Sequence, residues 1–390
     1  MSDEIIEENK KTKRKKGSGS VIDQDVTDIT EDTAPDTREL DIYKKLAKFK
    51  PKPQKEIETG IFSLDLVLVK LYTGDVIEVS SPSGVGKSTL MMQISKNIVT
   101  GKYSVVGEKK KFPKVCYIDV EGGINEQTVE LYGLKKYLGN QFQLVTVTTY
   151  SELEEVLEDV LKSNEPFDAV IIDSITDVNP DVIFEKSVTD LQIGLEARLQ
   201  TILLKKFKPL FRQVGTNLWL VNQMRIKSKK VGYQMIMEEA SAGAKTLEFS
   251  PDVRLRLAKG GDITEIKTTI AGEAKTTVGT DSEIWSLKNR KGFIKIKVPM
   301  PILYGKGIMN YLLIKNILSK KDILKVTGKI SVLDFKDGTE PVRLTKGVKE
   351  LRDYLIENLT AIKDKLQDLG HWSLLTLQAE QKNQDDLDFD

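Results

Sequence analysis

Residues Ser81, Pro82, Ser83, Gly84, Val85, Gly86, Lys87, Ser88 and Thr89 follow the strand-like run Asp75–Ser80 and precede the helix-like start Leu90-Met-Met-Gln-Ile-Ser95. A strand, a glycine-rich turn and a helix N-terminus together make a cradle for phosphate. Backbone N–H groups and the helix dipole face the anion there. In that spacing Lys87 supplies a point charge to the β- and γ-phosphates, and the Ser88 hydroxyl is a ligand for Mg²⁺. Such a loop has glycine at its first position, and this chain has Ser81. Serine opens the loop equally well if its φ is ordinary. A Gly/Ser turn beside a chance lysine is the plainer alternative, and the flanking strand and helix argue against it.

Phosphate chemistry also needs a second metal ligand and a means of activating water. Asp173 closes the apolar run Ala169-Val-Ile-Ile172, where Mg²⁺ and its waters sit at the C-terminal end of a central strand. Glu121 lies two residues beyond Asp119, at the end of the run Lys114–Asp119, on the same face by alternation. A glutamate past a strand tip can orient and deprotonate the attacking water. Asn222-Gln223 ends Leu218–Val221, and the neutral Gln223 amide can sense a γ-phosphate without neutralising it. Downstream, Arg225, Lys227, Lys229 and Lys230 put four cations in six residues, before the apolar stretch Gly232-Tyr-Gln-Met-Ile-Met237 with its single aromatic, Tyr233. Cations beside insertable apolar groups suit a single-stranded backbone with unstacked bases. The pattern over Met224–Ala242 predicts a loop, because Gly232 and the cation run are unsuited to a buried strand.

The elements that position these residues alternate. Strands are predicted at 75–80, 114–119, 142–148, 169–173, 218–222, 253–258 and 283–288. Helices are predicted at 87–99, 125–135, 151–163, about 190–213 and 239–247. This β-α-β order implies an α/β fold with a mainly parallel sheet covered on both faces. Residues 1–38 are predicted disordered from their polar, charged composition. Within them Lys10–Lys16 reads as a nucleic-acid arm, a nuclear signal or a solvated tail. A short helix at 40–49 falls in a docking segment or linker, 39–56; the core is expected over 57–310. A small α+β region is expected at 311–380, with helical patterns at 307–319 and 345–367, and an acidic tail at 381–390.

Composition narrows the function. Among 390 residues, 39% are apolar and 30% charged, and the formal net charge is +1, so any nucleic-acid affinity has to come from local patches. Cys116 is the only cysteine and excludes an internal disulfide; a single histidine, His371, argues against histidine dyads and Cys/His zinc sites. No run approaches the ~20 apolar residues of a membrane span. The N-terminus lacks the apolar core of a secretion signal, and a cytoplasmic location is expected.

The order of the segments resembles the RecA family of DNA strand-exchange recombinases, bacterial and phage UvsX-like members included. Glu58-Thr-Gly-Ile-Phe-Ser-Leu-Asp65 is similar to the family's lead-in segment, Ser81–Thr89 to its phosphate loop, Tyr117-Ile-Asp-Val-Glu121 to its catalytic glutamate strand and Val170–Ser174 to its metal-binding strand. Leu191–Arg198 resembles the exit from its first DNA loop, Val221–Lys227 the start of the second, and Ala242-Gly243 with Leu247–Phe249 and Val253–Leu255 the exit from that loop. Leu287–Arg290 and Ile302–Ile308 are similar to the segment that reaches a neighbour's nucleotide. The resemblance spans about residues 57–310.

It implies ATP and Mg²⁺, a catalytic Glu121, and a Gln223 that couples the γ-phosphate to DNA. It further implies Lys288 and Arg290 acting in trans on an adjacent subunit's ATP, and Tyr304 against the neighbour's adenine. For DNA it implies Ile193, Arg198 and the stretch 185–192 in the first loop, and Gly243 at the end of the second. Thr128 stands where the family has an adenine-stacking aromatic, with Tyr132 one helical turn later. The resulting expectation is an ATP-dependent recombinase forming helical homo-oligomers on single-stranded DNA and pairing it with duplex, with loader or single-strand-binding proteins as further partners. A hexameric helicase motor sharing the core and a non-recombining mediator are the rival expectations. The first 56 residues are too few and too polar for a helicase collar, and Glu121, Lys288 and Arg290 argue for an active motor.

Overall fold

Two periodicities lay out the chain, and the computed structural model describes residues 53–184, 194–231, 234–269, 272–292 and 294–370. The N-terminal tail, the helix at 40–49, Glu185–Ile193, Tyr233 and the acidic tail lie outside the described residues, as do the side chains of 225–241.

The elements begin with β1 (Glu56–Glu58), α1 (Phe62–Leu68), β2 (Leu71–Tyr72), β3 (Val76–Ser81), α2 (Lys87–Val99), β4 (Ser104–Val105) and β5 (Val115–Asp119). There follow α3 (Glu126–Leu131), β6 (Phe142–Thr146), α4 (Tyr150–Lys162), β7 (Ala169–Asp173), α5 (Leu195–Val214), β8 (Asn217–Val231), β9 (Gln234–Ser241) and α6 (Lys245–Phe249). Next are β10 (Val253–Ala258), β11 (Asp262–Thr269), β12 (Gly272–Asn289), β13 (Lys297–Leu303), β14 (Gly307–Ile308) and α7 (Asn310–Lys320). The described chain closes with β15 (Leu324–Thr327), β16 (Ile330–Leu333), β17 (Val342–Leu344), α8 (Val348–Glu357) and α9 (Leu359–Asp368).

The main sheet has the order β14-β13-β12-β10-β3-β8-β7-β5-β6. Neighbours from β10 to β6 are parallel, while β12, β13 and β14 add an antiparallel edge. The expected α/β architecture with a mainly parallel sheet is present. Alternation distributes each central strand to two cores. Tyr117, Ile171 and Trp219 pack with Leu90, Ile94 and Ile98 of α2 on one face. Cys116, Ile118, Val170 and Ile172 pack with Leu153 and Leu157 of α4 and Phe207 and Phe211 of α5 on the other. A strand buried on both faces has no polar alternation, which is why Ala169–Ile172 is wholly apolar. The first core continues through Leu313, Ile317, Leu333, Leu351, Leu355 and Leu366 into the three-stranded sheet β15-β16-β17 and helices α7 to α9.

Three expectations are corrected. The segment 224–242 is a β-hairpin: β8 runs on past Gln223 and pairs antiparallel with β9, from Met224↔Ser241 to Val231↔Gln234. Beyond Gln223 the backbone of β8 has its ladder to β9 in place of the main-sheet neighbours that pair with it up to that residue. The helix at 239–247 is displaced for the same reason. Residues up to Ser241 have their backbone groups in the ladder, Gly243 turns with φ 87°, and α6 starts at Lys245. The helical pattern at 345–367 is two helices joined at Asn358, whose φ of −103° and ψ of 17° leave the α region. The antiparallel strands β11 and β13 were not predicted. Pro299 and Pro301 lie within β13, where the ladder to β12 is on one side and the outer edge tolerates a missing donor.

Candidate nucleotide-binding and hydrolysis site

Four parallel strands, β3, β5, β7 and β8, bring their C-terminal ends together, and the candidate chemistry sits there. The loop after β3 delivers Lys87 as the first residue of α2, with Gly86 before it at φ 110°. That conformation favours glycine, and a Cβ there would also come within 2.5 Å of Ile302 Cδ1, which would have to turn aside. The Lys87 ammonium turns back into the loop and donates to the carbonyl oxygens of Ser81 at 3.3 Å and Pro82 at 3.1 Å. Burial lowers its pKa, opposed by the charges of Asp173, Glu121 and Asp177.

Asp173 is 4% exposed at the end of β7. Its Oδ2 accepts hydrogen bonds from Ser88 Oγ at 3.0 Å and Tyr117 Oη at 2.6 Å. Burial pushes this carboxyl up from its ordinary value, and the two hydrogen bonds work against that. The adjacent hydroxyl and carboxylate form a small hard-oxygen donor set. Among the described residues no group of three His, Cys, Asp or Glu could hold a metal. Two protein oxygens fit Mg²⁺, which keeps several waters and completes its shell with phosphate.

Glu121 is held by its loop. The Asp119 carboxylate accepts backbone N–H bonds from Gly122 at 2.9 Å, Gly123 at 3.2 Å and Ile124 at 2.8 Å, bending the chain just past β5. Gln223 Nε2 donates to Glu121 Oε1 at 2.9 Å and to Asp177 Oδ2 at 3.2 Å. Burial raises the Glu121 pKa; the Gln223 bond opposes this, while Asp173 and Asp177 add to it. A carboxylate moved in that direction is a better-matched general base near neutral pH. Asp177 was not singled out from the sequence. Its signal is its place four residues after Asp173, where it also accepts from Ser174 Oγ.

The structure does not bring Lys288 and Arg290 to this cluster. They lie at the other end of the sheet, since Asn289 of β12 is level with Val253 of β10, which is level with Ile77 near the start of β3. From Ile77 to the phosphate loop is about 13 Å of strand at ~3.3 Å per residue. Lys288 Nζ donates to the carbonyls of Phe249 at 2.6 Å and Pro251 at 2.7 Å. Arg290 reaches the Phe249 carbonyl at 3.2 Å and Asp252 Oδ1 at 3.4 Å. Burial and the neighbouring charges of Arg290 and Lys208 bring the Lys288 pKa down to about 8.

Tyr304 lies in the turn just after β13. The preceding strand β13 brings Ile302 beside Gly86 of the phosphate loop, and β12 reaches the same loop through Ser282 Oγ, which donates to Val85 O at 3.2 Å. Tyr304 itself is 58% exposed. A Cβ on Gly307, in the same turn, would lie 3.5 Å from Tyr132 Cε1, and Tyr132 hydrogen-bonds the Thr89 side chain. The turn and Tyr132 therefore flank the start of α2 in one chain.

The sequence model described as RecA N-terminal domain matches residues 42–309. The chain belongs to the RecA family. It is 27% identical to Protein RecA of Dichelobacter nodosus over 316 residues, 79% of this chain and 82% of the relative. It is 27% identical to Protein RecA of Mycobacteroides abscessus over 335 residues, 83% of this chain and 87% of the relative.

In this RecA-family chain the remaining predicted DNA residues are spread over several elements. Arg198 is exposed on the first turn of α5. Gly243 sits where a Cβ would meet Gln200 Oε1 at 2.7 Å and Leu247 Cδ1 at 2.8 Å, so its glycine serves the hairpin exit. Ala242 N donates to Gln223 O at 2.8 Å, tying that exit to the base of the hairpin. Among the described residues no helix is long and apolar enough to cross a membrane.

Proposed function

We propose that this chain is a Mg²⁺-dependent, DNA-stimulated ATPase that assembles as a helical filament on single-stranded DNA, pairs it with homologous duplex and exchanges strands. The observation that carries the reading is Gln223. Its amide holds Glu121, and the same strand runs without interruption into the basic hairpin. A ligand on the hairpin and a γ-phosphate at the loop therefore compete for, or share, one amide.

The steps follow from the residues. Loop amides and Lys87 hold the β- and γ-phosphates. Ser88 and Asp173 would hold Mg²⁺, which supplies charge stabilisation to the transferring phosphoryl group. Glu121 orients water in line with the γ-phosphate and takes its proton. Gln223 leaves Glu121 for the γ-phosphate and reports the nucleotide state to the hairpin. Arg225, Lys227, Lys229 and Lys230 bind the DNA backbone, with Tyr233 stacking on a base and Arg198 and Ile193 adding contacts from the first loop. Lys288 and Arg290, too far from their own phosphate loop, act on the ATP of the adjacent subunit, so hydrolysis needs assembly. Tyr304 is assigned to the adenine of its own chain's nucleotide, because it follows the strand that brings Ile302 beside that chain's phosphate loop. The reaction is read as cytoplasmic.

The test combines microscopy with a strand-exchange assay. With single-stranded DNA and a non-hydrolysable ATP analogue, open helical filaments are expected. With ATP and homologous duplex, joint molecules are expected. Closed rings without joint molecules would replace the reading with a helicase motor. Filaments without joint molecules would replace it with a mediator.

A further inference from the structure

We infer that Asp252 is the positioning residue that holds Lys288 and Arg290 ready for the adjacent subunit's ATP; this rests on the reading of those two cations given above. Long cationic side chains at a strand end lose rotamer freedom when fixed, and the fixing has to come from partners. Here the partners converge on one short segment, Phe249–Asp252, between α6 and β10. Lys288 donates to its Phe249 and Pro251 carbonyls, and Arg290 to its Phe249 carbonyl and Asp252 carboxylate.

Asp252 keeps that segment in place. Its side chain is 2% exposed. Oδ2 accepts from Val76 N at 3.1 Å, and its own N–H donates to Val76 O at 2.8 Å, fixing it to the start of β3. Oδ1 accepts from Lys208 Nζ at 2.8 Å and meets Arg212 at 3.1 Å, fixing it to α5. The Asp252 carbonyl accepts from Arg290 N at 3.1 Å, so it holds the backbone of that arginine as well as its head.

The charge balance points the same way. Lys208, Arg212, Lys288 and Arg290 crowd one end of the sheet. Among the buried carboxylates described there, Glu78 pairs with Arg254, and Asp75 takes Lys291 at 2.6 Å and lies 3.8 Å from Arg212. Asp252 is the one in contact with Lys208, Arg212 and Arg290. Burial alone would raise its pKa, but Lys208, the Val76 amide and Arg212 outweigh that and hold it below the usual carboxylate range. Without this charge the cations repel one another and the Arg290 head loses its fixed point.

The test uses the full chain with single-stranded DNA, Mg²⁺ and ATP. Asp252→Asn removes the charge, and Asp252→Glu keeps it while moving it by one methylene. Both are expected to lower the DNA-stimulated kcat by about 10²-fold, the scale of a misplaced group. KM, and ATP affinity without DNA, should stay at wild-type values, because the phosphate loop is at the opposite strand ends. Mixing either variant with a Lys87→Ala chain should restore hydrolysis, since the second chain supplies well-placed cations to the first chain's intact loop. The Glu variant, which preserves the ion pairs to α5, carries the test if the Asn variant does not fold. Wild-type kcat in both Asp252 variants, with Lys288→Ala/Arg290→Ala inactive, would overturn this inference and leave the trans-acting cations standing. A slow variant not rescued by mixing would mean general damage and overturn it too. Full activity of Lys288→Ala/Arg290→Ala would instead remove the reading on which it rests.

Discussion

Glu121 is placed by Asp119 below it and by Gln223 across from it, and each contact has a separate consequence. Glu121→Gln keeps the shape of the loop and removes the base. Nucleotide binding should survive, while single-turnover hydrolysis slows by ~10²–10⁴-fold. Hydrolysis at the wild-type rate would take Glu121 out of the mechanism. Lys87→Ala should remove most ATP affinity, measurable by titration without DNA. Lys288 sets a pH dependence. Its amine is lowered from 10.5 to about 8, so it is charged below that pH and neutral above it. DNA-stimulated hydrolysis should therefore fall as pH rises through 8, and Lys288→Arg should move that limb upward. Unfolding does not mimic this. Between about 8 and 10.5 the unfolded chain binds the extra proton, so this group's contribution to stability rises with pH.

At the scale of elements, the hairpin β8–β9 springs from Gln223, and the proposed coupling runs through that residue. Replacing Arg225, Lys227, Lys229 and Lys230 by Ala should weaken single-strand binding and flatten its salt dependence. The slope of log K against log[salt] should drop by ~0.7 for each lost phosphate contact. ATP binding without DNA should persist, because the phosphate loop is a separate turn. An unchanged slope would place DNA elsewhere. The loop itself depends on a contact between elements. Gly86→Ala puts a Cβ at a φ of 110°, where an L side chain is strained, and 2.5 Å from Ile302 Cδ1, so the loop conformation should change and the Ile302 side chain has to turn aside. ATP affinity should fall while the circular-dichroism spectrum is retained. By contrast α4 is capped locally, with Thr149 and Glu152 forming a capping box. Thr149→Ala should cost about 1 kcal/mol in denaturant melts and leave hydrolysis alone.

For the whole molecule, the proposed action of Lys288 and Arg290 in trans would make assembly part of the chemistry. A subunit with a phosphate loop at one end of the sheet and those cations at the other would then make a heterologous, head-to-tail contact, which propagates into a helix when rotation does not close a ring. The acidic residues Asp385, Asp386, Asp388 and Asp390 are expected to compete with DNA for a cationic groove or to dock a partner protein. Truncation after Gln384 should speed loading onto duplex DNA, most clearly at low ionic strength. Equal loading rates at low salt would leave the partner-docking role.

Local pattern determined a good part of this protein. The strands 76–81, 115–119, 169–173 and 253–258 and the helices at 87–99 and 150–162 follow from short-range periodicity and turns, which act within a few residues. The places of Lys87 and Ser88 at the start of α2, and of Asp173, Glu121 and Gln223 at or just past strand ends, were legible for the same reason. The tertiary structure decided what pairs with what over long separations. It turned the cation run into a hairpin, because β9 supplied a ladder that composition does not announce. It brought Ile302 of β13 beside Gly86 of the phosphate loop, a pairing of residues more than two hundred positions apart. It gathered Lys208, Arg212 and Arg290 around the buried carboxylate of Asp252. No single segment carries a sign of that cluster, because its energy comes from burial and charge pairing that exist only once the sheet has formed.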